Sequence, residues 1–406
     1  MKAKEPYPCL TFGVVGDIRM QGQADVDAVR KALAALRDQG VAAVVVAGDL
    51  VADGSFGPDR FLPFASAWND VFHAGCGVVP LVVLGERDVA GGDVAEAWRN
   101  AFGETYAPRV VKEVQGFRFL LCREPDVSVG DFSYDDGPCF VVRHFPMAEH
   151  DGHIQPGVVA ITGHTCTPLT DPRTIRACGG GVTVDASSLL HVRAPGGREN
   201  ALAEGLPPEA AEWRHMPDIS REAGKARHAI VVRVDAHGAT FRRMDLALGS
   251  ALCEDVATPI GAPCHVVPEF PEGAEAFIEE ETGKTMAGHI ERQMKVVFPA
   301  ARKPTRAFDY AVTVKYAEAD LVKTTVEKRV YPYGLFRPED EASVSCVFGF
   351  CELPWDVKLN FEIVPCTAFG DEGKPLCAEG YIESPEARAK RLKKERKAAL
   401  EKAVQA

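Results

Sequence analysis

Apolar residues follow two rhythms along this chain, and the rhythm changes near residue 250. Before that point, unbroken apolar runs alternate with segments of helical spacing. Residues 10–16, 41–48 and 78–84 are short apolar runs rich in Val, Leu and Ala, and each leads through a glycine into an acidic residue. A short run that is apolar throughout fits a strand buried on both faces. Between the first two runs, Val26, Val29, Leu33 and Leu36 fall on one face of a helix that Asp25 can cap and Gly40 can stop. A second helix is expected over 94–102. Strands are expected over 110–114, 117–122, 140–143 and 158–162, and alternation over 183–192 and 229–246 predicts antiparallel strands closing the sheet. This order specifies an α/β layer with right-handed crossovers. Such sheets hold ligands just beyond the carboxyl ends of their strands, where Asp17, Asp49, Glu86, His144 and His164 fall.

The second half reads differently. Residues 194–227 are rich in Gly, Pro and charge and predict a long surface loop with one short helix around 208–214. Residues 257–271 hold four prolines and read as a linker. Period-two runs follow: Tyr310, Val312, Val314 and Tyr316; Val344, Cys346, Phe348 and Phe350; Val357, Leu359, Phe361 and Ile363. Short alternating strands with turns between them predict a β-sandwich. The stretch 361–376 resembles the last hairpin of fibronectin type III-like domains. From Ser384-Pro385-Glu386 a basic helix is expected, with Leu392, Leu400 and Val404 too sparse for a membrane-lying face. The expected organisation is an α/β domain over 1–256, a linker over 257–272, a sandwich over 273–383 and a solvated terminal helix over 384–406.

Composition narrows the function classes. A length of 406 residues predicts two domains, and 46% hydrophobic with 26% charged residues fits a soluble globular chain. The formal net charge of -12 argues against nucleic acid or anionic membranes as general partners. No apolar run approaches the ~20 residues of a spanning helix. The opening Met-Lys-Ala-Lys-Glu-Pro lacks an apolar signal core, so a cytoplasmic protein is expected unless a signal segment has been removed. The 12 cysteines are scattered, and free buried thiols are the expected state even for Cys346 and Cys351.

Chemistry concentrates in five segments: Gly16-Asp17-Ile18-Arg19, Gly48-Asp49-Leu50, Gly85-Glu86-Arg87-Asp88, His144-Phe145-Pro146 and Gly163-His164-Thr165-Cys166. Any one of them is uninformative, since a lone Gly-Asp is most often a turn and a lone His most often a satisfied core side chain. Their order, each at the end of an expected strand, resembles the blocks of the calcineurin-like metallophosphoesterases over residues 10–250: Asp-x-His, Gly-Asp, Gly-Asn-His-Asp/Glu, a lone His, and Gly-His-x-His. Two further stretches, 98–106 and 181–190, resemble segments of the same family. The resemblance implies a four-layer α/β/β/α sandwich with the metals at one edge. Two cations would be bridged by a carboxylate and a hydroxide that attacks phosphorus. In the family, the first cation takes the Asp and His of block one, the bridging Asp and the last His. The second takes the bridging Asp, the Asn, the lone His and the first His of block five.

Carried onto this chain, Asp17, Asp49, His144 and His164 stand where the family has them, but Arg19, Glu86, Arg87 and Cys166 do not. An arginine is never a ligand, because its guanidinium stays protonated. With Arg19 and Cys166 in place of two histidines, the first site is expected to be lost, and Arg19 is expected to pair with Asp17 or Asp49. Asp49, Glu86, His144 and His164 would still hold one divalent ion such as Mn, Zn or Fe. Arg87 replaces the histidine that protonates the leaving group. It can grip a phosphate but cannot donate a proton at neutral pH, a loss of ~10²–10⁴-fold in rate where a general acid matters.

Three readings follow. The first is a weakly active or inactive relative that binds a phosphorylated small molecule or phosphate-like anion through Arg19 and Arg87. The second is a single-metal phosphoesterase in which those arginines replace the missing cation and histidine. The third is a binding protein whose sandwich takes a protein or glycan partner. Asp53-Gly54 reads as a turn, Asp151-Gly152-His153 as an exposed loop, Glu279-Glu280-Glu281 as a solvated helix face, and His73, His191 and His215 have no ligand spacing.

Overall fold

The structure, a computed structural model, describes residues 9–73, 75–90, 92–124, 139–146, 157–178, 181–195, 198, 201, 219–235, 238–258, 267–284, 290–302, 306–318, 321–336, 342–368 and 370–405. The chain divides into two compact units. One comprises Met1–Ala194, Ser220–Val266 and Phe336–Glu339; the other comprises Pro195–Ile219, Val267–Leu335 and Asp340–Ala406.

The first unit is built on two mixed sheets. Leu10–Val15 (β1), Ala43–Ala47 (β2) and Val79–Val83 (β3) pair in parallel. Arg109–Val114 (β4), Phe117–Cys122 (β5), Cys139–Val142 (β6), Val158–Thr162 (β7), Ile175–Cys178 (β8) and Gly181–Asp185 (β9) form the second sheet in the order β4-β5-β6-β7-β9-β8. His228–Asp235 (β10), Gly238–Asp245 (β11), Ser250–Ala251 (β12) and Val256–Ala257 (β13) complete the first sheet, with β10 antiparallel to β1. One face of each sheet meets the other in a shared core that includes Phe12, Val14 and Val45 from the first and Phe119, Phe140 and Ile161 from the second. Phe12 lies edge-on to Phe119 and Phe140, with centroids 5.3 and 5.0 Å away.

Because β1 and β2 are apolar on both faces, the first sheet also needs an outer cover. Helices Gln23–Asp38 (α1), Leu62–Val71 (α2), Glu86–Val89 (α3) and Val94–Phe102 (α4) follow its strands, and α1, α2 and α4 bury Leu33, Phe64 and Trp98 in one cluster with Val15, Val44 and Val46. The outer face of the second sheet is buried too, at Leu120, Val141 and Ala160, which is the burial an outer layer on that side requires. The architecture is therefore the expected α/β sandwich, joined to an all-β part.

Several local expectations change. Helix α1 starts at Gly22, and Asp25 sits inside its first turn, where its carboxylate accepts the Gln21 N–H at 2.8 Å. Helix α2 was not legible: aromatic residues and Pro63 blur its pattern, yet Phe64, Ala65, Ala67, Trp68 and Val71 are buried at helical spacing. Strand β9 is parallel to β7 and wholly buried, so it is an interior strand; only its partner β8 is antiparallel to it. The chain from Ala186 to Leu190 leaves the strand and packs against the loops at the sheet ends, with Leu189 N–H bonded to Gly16 O at 2.9 Å.

The second unit holds Phe277–Lys284 (β14), Ile290–Pro299 (β15), Asp309–Glu318 (β16), Leu321–Val330 (β17), Ser343–Gly349 (β18), Lys358–Cys366 (β19) and Leu376–Tyr381 (β20). They form a three-stranded sheet, β14-β15-β18, and a four-stranded sheet, β17-β16-β19-β20, so Glu279, Glu280 and Glu281, expected on a helix, lie on strand β14, with Glu280 paired to Arg292 across it. Val296, Phe298 and Phe348 from one and Tyr310, Val312, Phe361 and Ile363 from the other share a core. A helix runs over Pro385–Gln405, with Ser384 Oγ accepting the Ala387 N–H at 3.1 Å. The short helix expected around 208–214 and the Asp151-Gly152-His153 loop lie outside the described residues, as does most of the proline-rich stretch 257–271. The described cysteines are free thiols; Cys346 is buried as expected, but Cys351 is exposed, as are Cys9, Cys76 and Cys377. Among the described residues, no helix is long and apolar enough to cross a membrane.

Candidate metal centre

The five segments meet at the carboxyl ends of β1, β2, β3, β6 and β7. Asp17 and Asp49 leave β1 and β2 fully buried, and His144 leaves β6 equally buried. The backbone there is bent sharply. Of nine non-glycine residues with positive φ among the described ones, six are Asp17, Arg19, Asp49, His164, Cys166 and Ser187. Such conformations cost energy and collect at functional sites. The glycines have a matching reason. At Gly48, φ is +88° and a side chain would strike the His144 ring; at Gly85, it would strike the Asp49 carboxylate. These positions must stay bare for the loops to approach one another.

Arg19 occupies the centre of the first half of the site. Its Nη2 lies 2.8 Å from Asp17 Oδ1 and its Nε 3.3 Å from Asp49 Oδ2, so both expected pairs exist at once. Burial works against the Arg19 charge, yet Cys166, Asp17 and Asp49 raise its pKa above the ordinary value. The other Asp17 oxygen accepts the His164 N–H at 2.6 Å. Burial and the nearby Asp17 carboxylate push the Cys166 thiol far above its ordinary range, and its Sγ lies 3.8 Å from His164 O. Asp17, Asp49 and His144 do bring ligand atoms within 4.8 Å of one another, but the guanidinium already bridges the two carboxylates. A cation at the first position would share these two carboxylates with the guanidinium.

The second half gathers a possible ligand group. Glu86, His144 and His164 form a group whose ligand atoms also lie within 4.8 Å of one another. Glu86 spans the two histidines, with Oε2 2.7 Å from His144 Nε2 and Oε1 3.3 Å from His164 Nδ1. Asp49 Oδ1 is 3.6 Å from His144 Nε2. Imidazole Nδ1 of His144 lies 2.8 Å from the Ala47 carbonyl, a contact that orients the ring with Nε2 toward Glu86 and Asp49. Asp49 Oδ2, Glu86 Oε2 and His144 Nε2 are buried atoms without a well-formed hydrogen bond, the condition a bound ion relieves. Burial pushes the Asp49 pKa up, with Asp17 and Glu86 adding to it while His144 opposes. Burial would raise Glu86 as well, but a backbone N–H and the two histidines outweigh it and hold the carboxylate ionised.

Arg87 closes the site from the side. Its Nε is 3.2 Å from Asp49 Oδ2, its Nη1 is 2.6 Å from Asp53 Oδ2, and its own N–H donates to Asp49 Oδ1 at 3.2 Å. Nη2 is engaged by neither carboxylate. Asp53, read from sequence as a turn residue, is thus a partner of Arg87. Asp88 belongs to the third segment but carried no role in the sequence reading. It is fully buried, and its carboxylate accepts Gly85 N–H at 2.9 Å and Val51 N–H at 3.1 Å. Asp185 accepts from Thr165 Oγ1 and from Ser187 N–H, Ser188 Oγ donates to Asp17 O at 2.6 Å, and His191 Nε2 lies 3.2 Å from Arg19 O. The signal for these supports was the polar run Asp-Ala-Ser-Ser directly after an apolar strand.

No protein-family model matches the sequence, and no curated protein sequence is similar to it. Among solved structures, the chain is similar to GAP50, described as the anchor in the inner membrane complex of Plasmodium, at 13% identity and a TM-score of 0.36 over 63% of this chain and 90% of that one. It is similar to a dimetal phosphatase from Danio rerio at 13% identity and a TM-score of 0.33, over 63% of this chain and 100% of that one. It is similar to a purple acid phosphatase from yellow lupin, Lupinus luteus, at 12% identity and a TM-score of 0.36, over 61% of this chain and 53% of that one.

Proposed function

We propose that the α/β unit is a calcineurin-like metallophosphoesterase domain in which Arg19 has replaced the first cation, leaving a single-ion site that binds a phosphate-type ligand with little or no turnover. The observation that carries this reading is the Arg19 guanidinium bridging Asp17 and Asp49 at 2.8 and 3.3 Å. Glu86, His144 and His164, with Asp49 beside them, would hold the remaining divalent ion. Such an ion supplies positive charge that holds and polarises a phosphate oxygen. Arg87, whose Nε and Nη1 meet Asp49 and Asp53, would offer its Nη2 as the donor for a second phosphate oxygen.

Electrostatics refines the expectation of an arginine-lined anion pocket. Asp17, Asp49 and Glu86 outnumber Arg19 and Arg87, so the carboxylates and guanidiniums by themselves sum to a net negative charge. Both arginines already serve buried carboxylates. A phosphate dianion is repelled unless an ion is bound first, so anion binding depends on the metal. Calorimetric titration with inorganic phosphate, before and after Mn loading, tests this: binding with Mn and none without supports it, and equal binding in both states refutes it. Elemental analysis of the loaded protein should return one ion per chain, and His144→Ala should return none.

A second reading, a single-metal phosphoesterase, is favoured by the unengaged Nη2 of Arg87, which is placed to meet transition-state charge. Hydrolysis of a generic phosphodiester at enzymatic rates, lost in Asp49→Ala, would establish it. For the second unit, the three-plus-four arrangement of strands supports a fibronectin type III-like sandwich.

A further inference from the structure

At the rim of the candidate metal centre, Arg87 is shared between two carboxylates of very different exposure. Its Nε lies 3.2 Å from Asp49 Oδ2, which is fully buried, and its Nη1 lies 2.6 Å from Asp53 Oδ2, on a side chain that is 67% exposed. Asp53 stands four residues beyond Asp49 on the connection after β2, and Arg87 lies in the single turn of α3. Arg87 itself keeps 31% of its side chain in contact with solvent, so an incoming anion can reach it. A guanidinium grips a phosphate best through two parallel N–H groups. With Nε turned to Asp49, the second of those groups beside Nη2 is Nη1, and Asp53 already occupies it.

This rim pair is not what holds the two connections together. Buried Asp88 does that, one oxygen accepting Gly85 N–H at 2.9 Å and the other Val51 N–H at 3.1 Å. The Arg87 N–H adds a second tie to Asp49 Oδ1 at 3.2 Å. The Asp53 side chain can therefore leave Nη1 by rotating into solvent while the backbone stays in place. An ion pair this exposed is also weak, worth about fivefold at most in an equilibrium constant. An anion that meets both the guanidinium and a bound cation gains more than that, and so displaces it.

We propose that Asp53 is an internal competitor for the anion: in the unliganded chain its carboxylate takes the place on Arg87 Nη1 that a phosphate oxygen takes in the complex. The proposal rests on the reading of the centre as a phosphate-type site and adds a residue that sets affinity there from outside the ion's ligand group.

The test is calorimetric titration of the Mn-loaded full-length protein with inorganic phosphate, in the parent, Asp53→Asn, Arg87→Met and the double variant. Asp53→Asn should bind phosphate about fivefold more tightly than the parent. Against Arg87→Met the same change should give less than about twofold, because the competition runs through the guanidinium. Mn affinity should be the same in Asp53→Asn as in the parent, whereas loss of a general negative field would weaken it. Equal gains in both backgrounds, or a gain matched by weaker Mn binding, would reduce Asp53 to a distant charge and overturn the proposal. Unchanged or weaker phosphate binding in Asp53→Asn would overturn it as well, and where the parent still binds phosphate only this proposal falls. If neither the parent nor Asp53→Asn binds phosphate, the phosphate-site reading falls with it.

Discussion

Arg19 lies between the two buried aspartates of the centre. A cation could satisfy Asp17 and Asp49 only by displacing a guanidinium that already touches both. Putting back two imidazoles should reverse this. In Arg19→His with Cys166→His, elemental analysis is expected to return two ions per chain after Mn or Zn loading, against one for the parent. Arg19→Ala without metal leaves two fully buried carboxylates facing each other, and urea unfolding should show a loss of about 1–3 kcal/mol, less than for a fully buried pair because Arg19 is 22% exposed. At this scale the sequence was informative for charge and uninformative for contact. That Arg19 must pair with a neighbouring carboxylate followed from its chemistry. That Asp53 pairs with Arg87, and that Asp88 ties two loops together, depends on residues 34 and 37 positions apart coming into register.

Among the elements, the turns after β2 and β3 act as one unit. Asp88 opens this connection: one oxygen accepts Gly85 N–H and the other accepts Val51 N–H, from the loop that carries Asp49. Asp88→Ala strands two buried N–H groups and should cost about 2–4 kcal/mol in chemical unfolding, with weaker ion binding as a companion effect, because Glu86 and Asp49 lose their common brace. Helix α4 was legible residue for residue, since Asp93 caps Glu96 N–H and Gly103 takes the left-handed stop at φ +67°. Helix α2 was not, because its buried face is formed by aromatic residues and alanines whose periodicity only packing reveals. Strand β9 ends at Asp185, well short of the expected 192, and runs parallel to β7; alternation cannot distinguish an edge from an interior strand once both faces are buried.

For the molecule as a whole, linkage offers two checks. An ion that binds only the folded chain should raise the thermal midpoint, with about 2.7 kcal/mol of added stability at a hundredfold excess over Kd, and EDTA should reverse it. The second check concerns His228, which is fully buried away from solvent. Burial lowers its pKa to about 3 from an ordinary 6.5. A folded value below the unfolded one means stability present above pH 6.5 and lost as pH falls toward 3. Unfolding free energies of the parent and His228→Leu, compared between pH 7.5 and 5, should therefore converge or cross below pH 6.5 at about 1.4 kcal/mol per pH unit. A difference that stays constant across that range would show that His228 is not held neutral.

The strand–helix rhythm, the two-part organisation of apolar patterning, and the placement of five polar segments at strand ends were all set by local sequence. Each depends on the burial period and turn chemistry of a few neighbouring residues. The tertiary structure alone decided how those segments share charge. Three carboxylates, two guanidiniums and two imidazoles brought together at the sheet edge have many pairings on paper. Loop geometry, positive φ angles and bare glycines select the one in which Arg19 serves two aspartates and Glu86 spans two histidines.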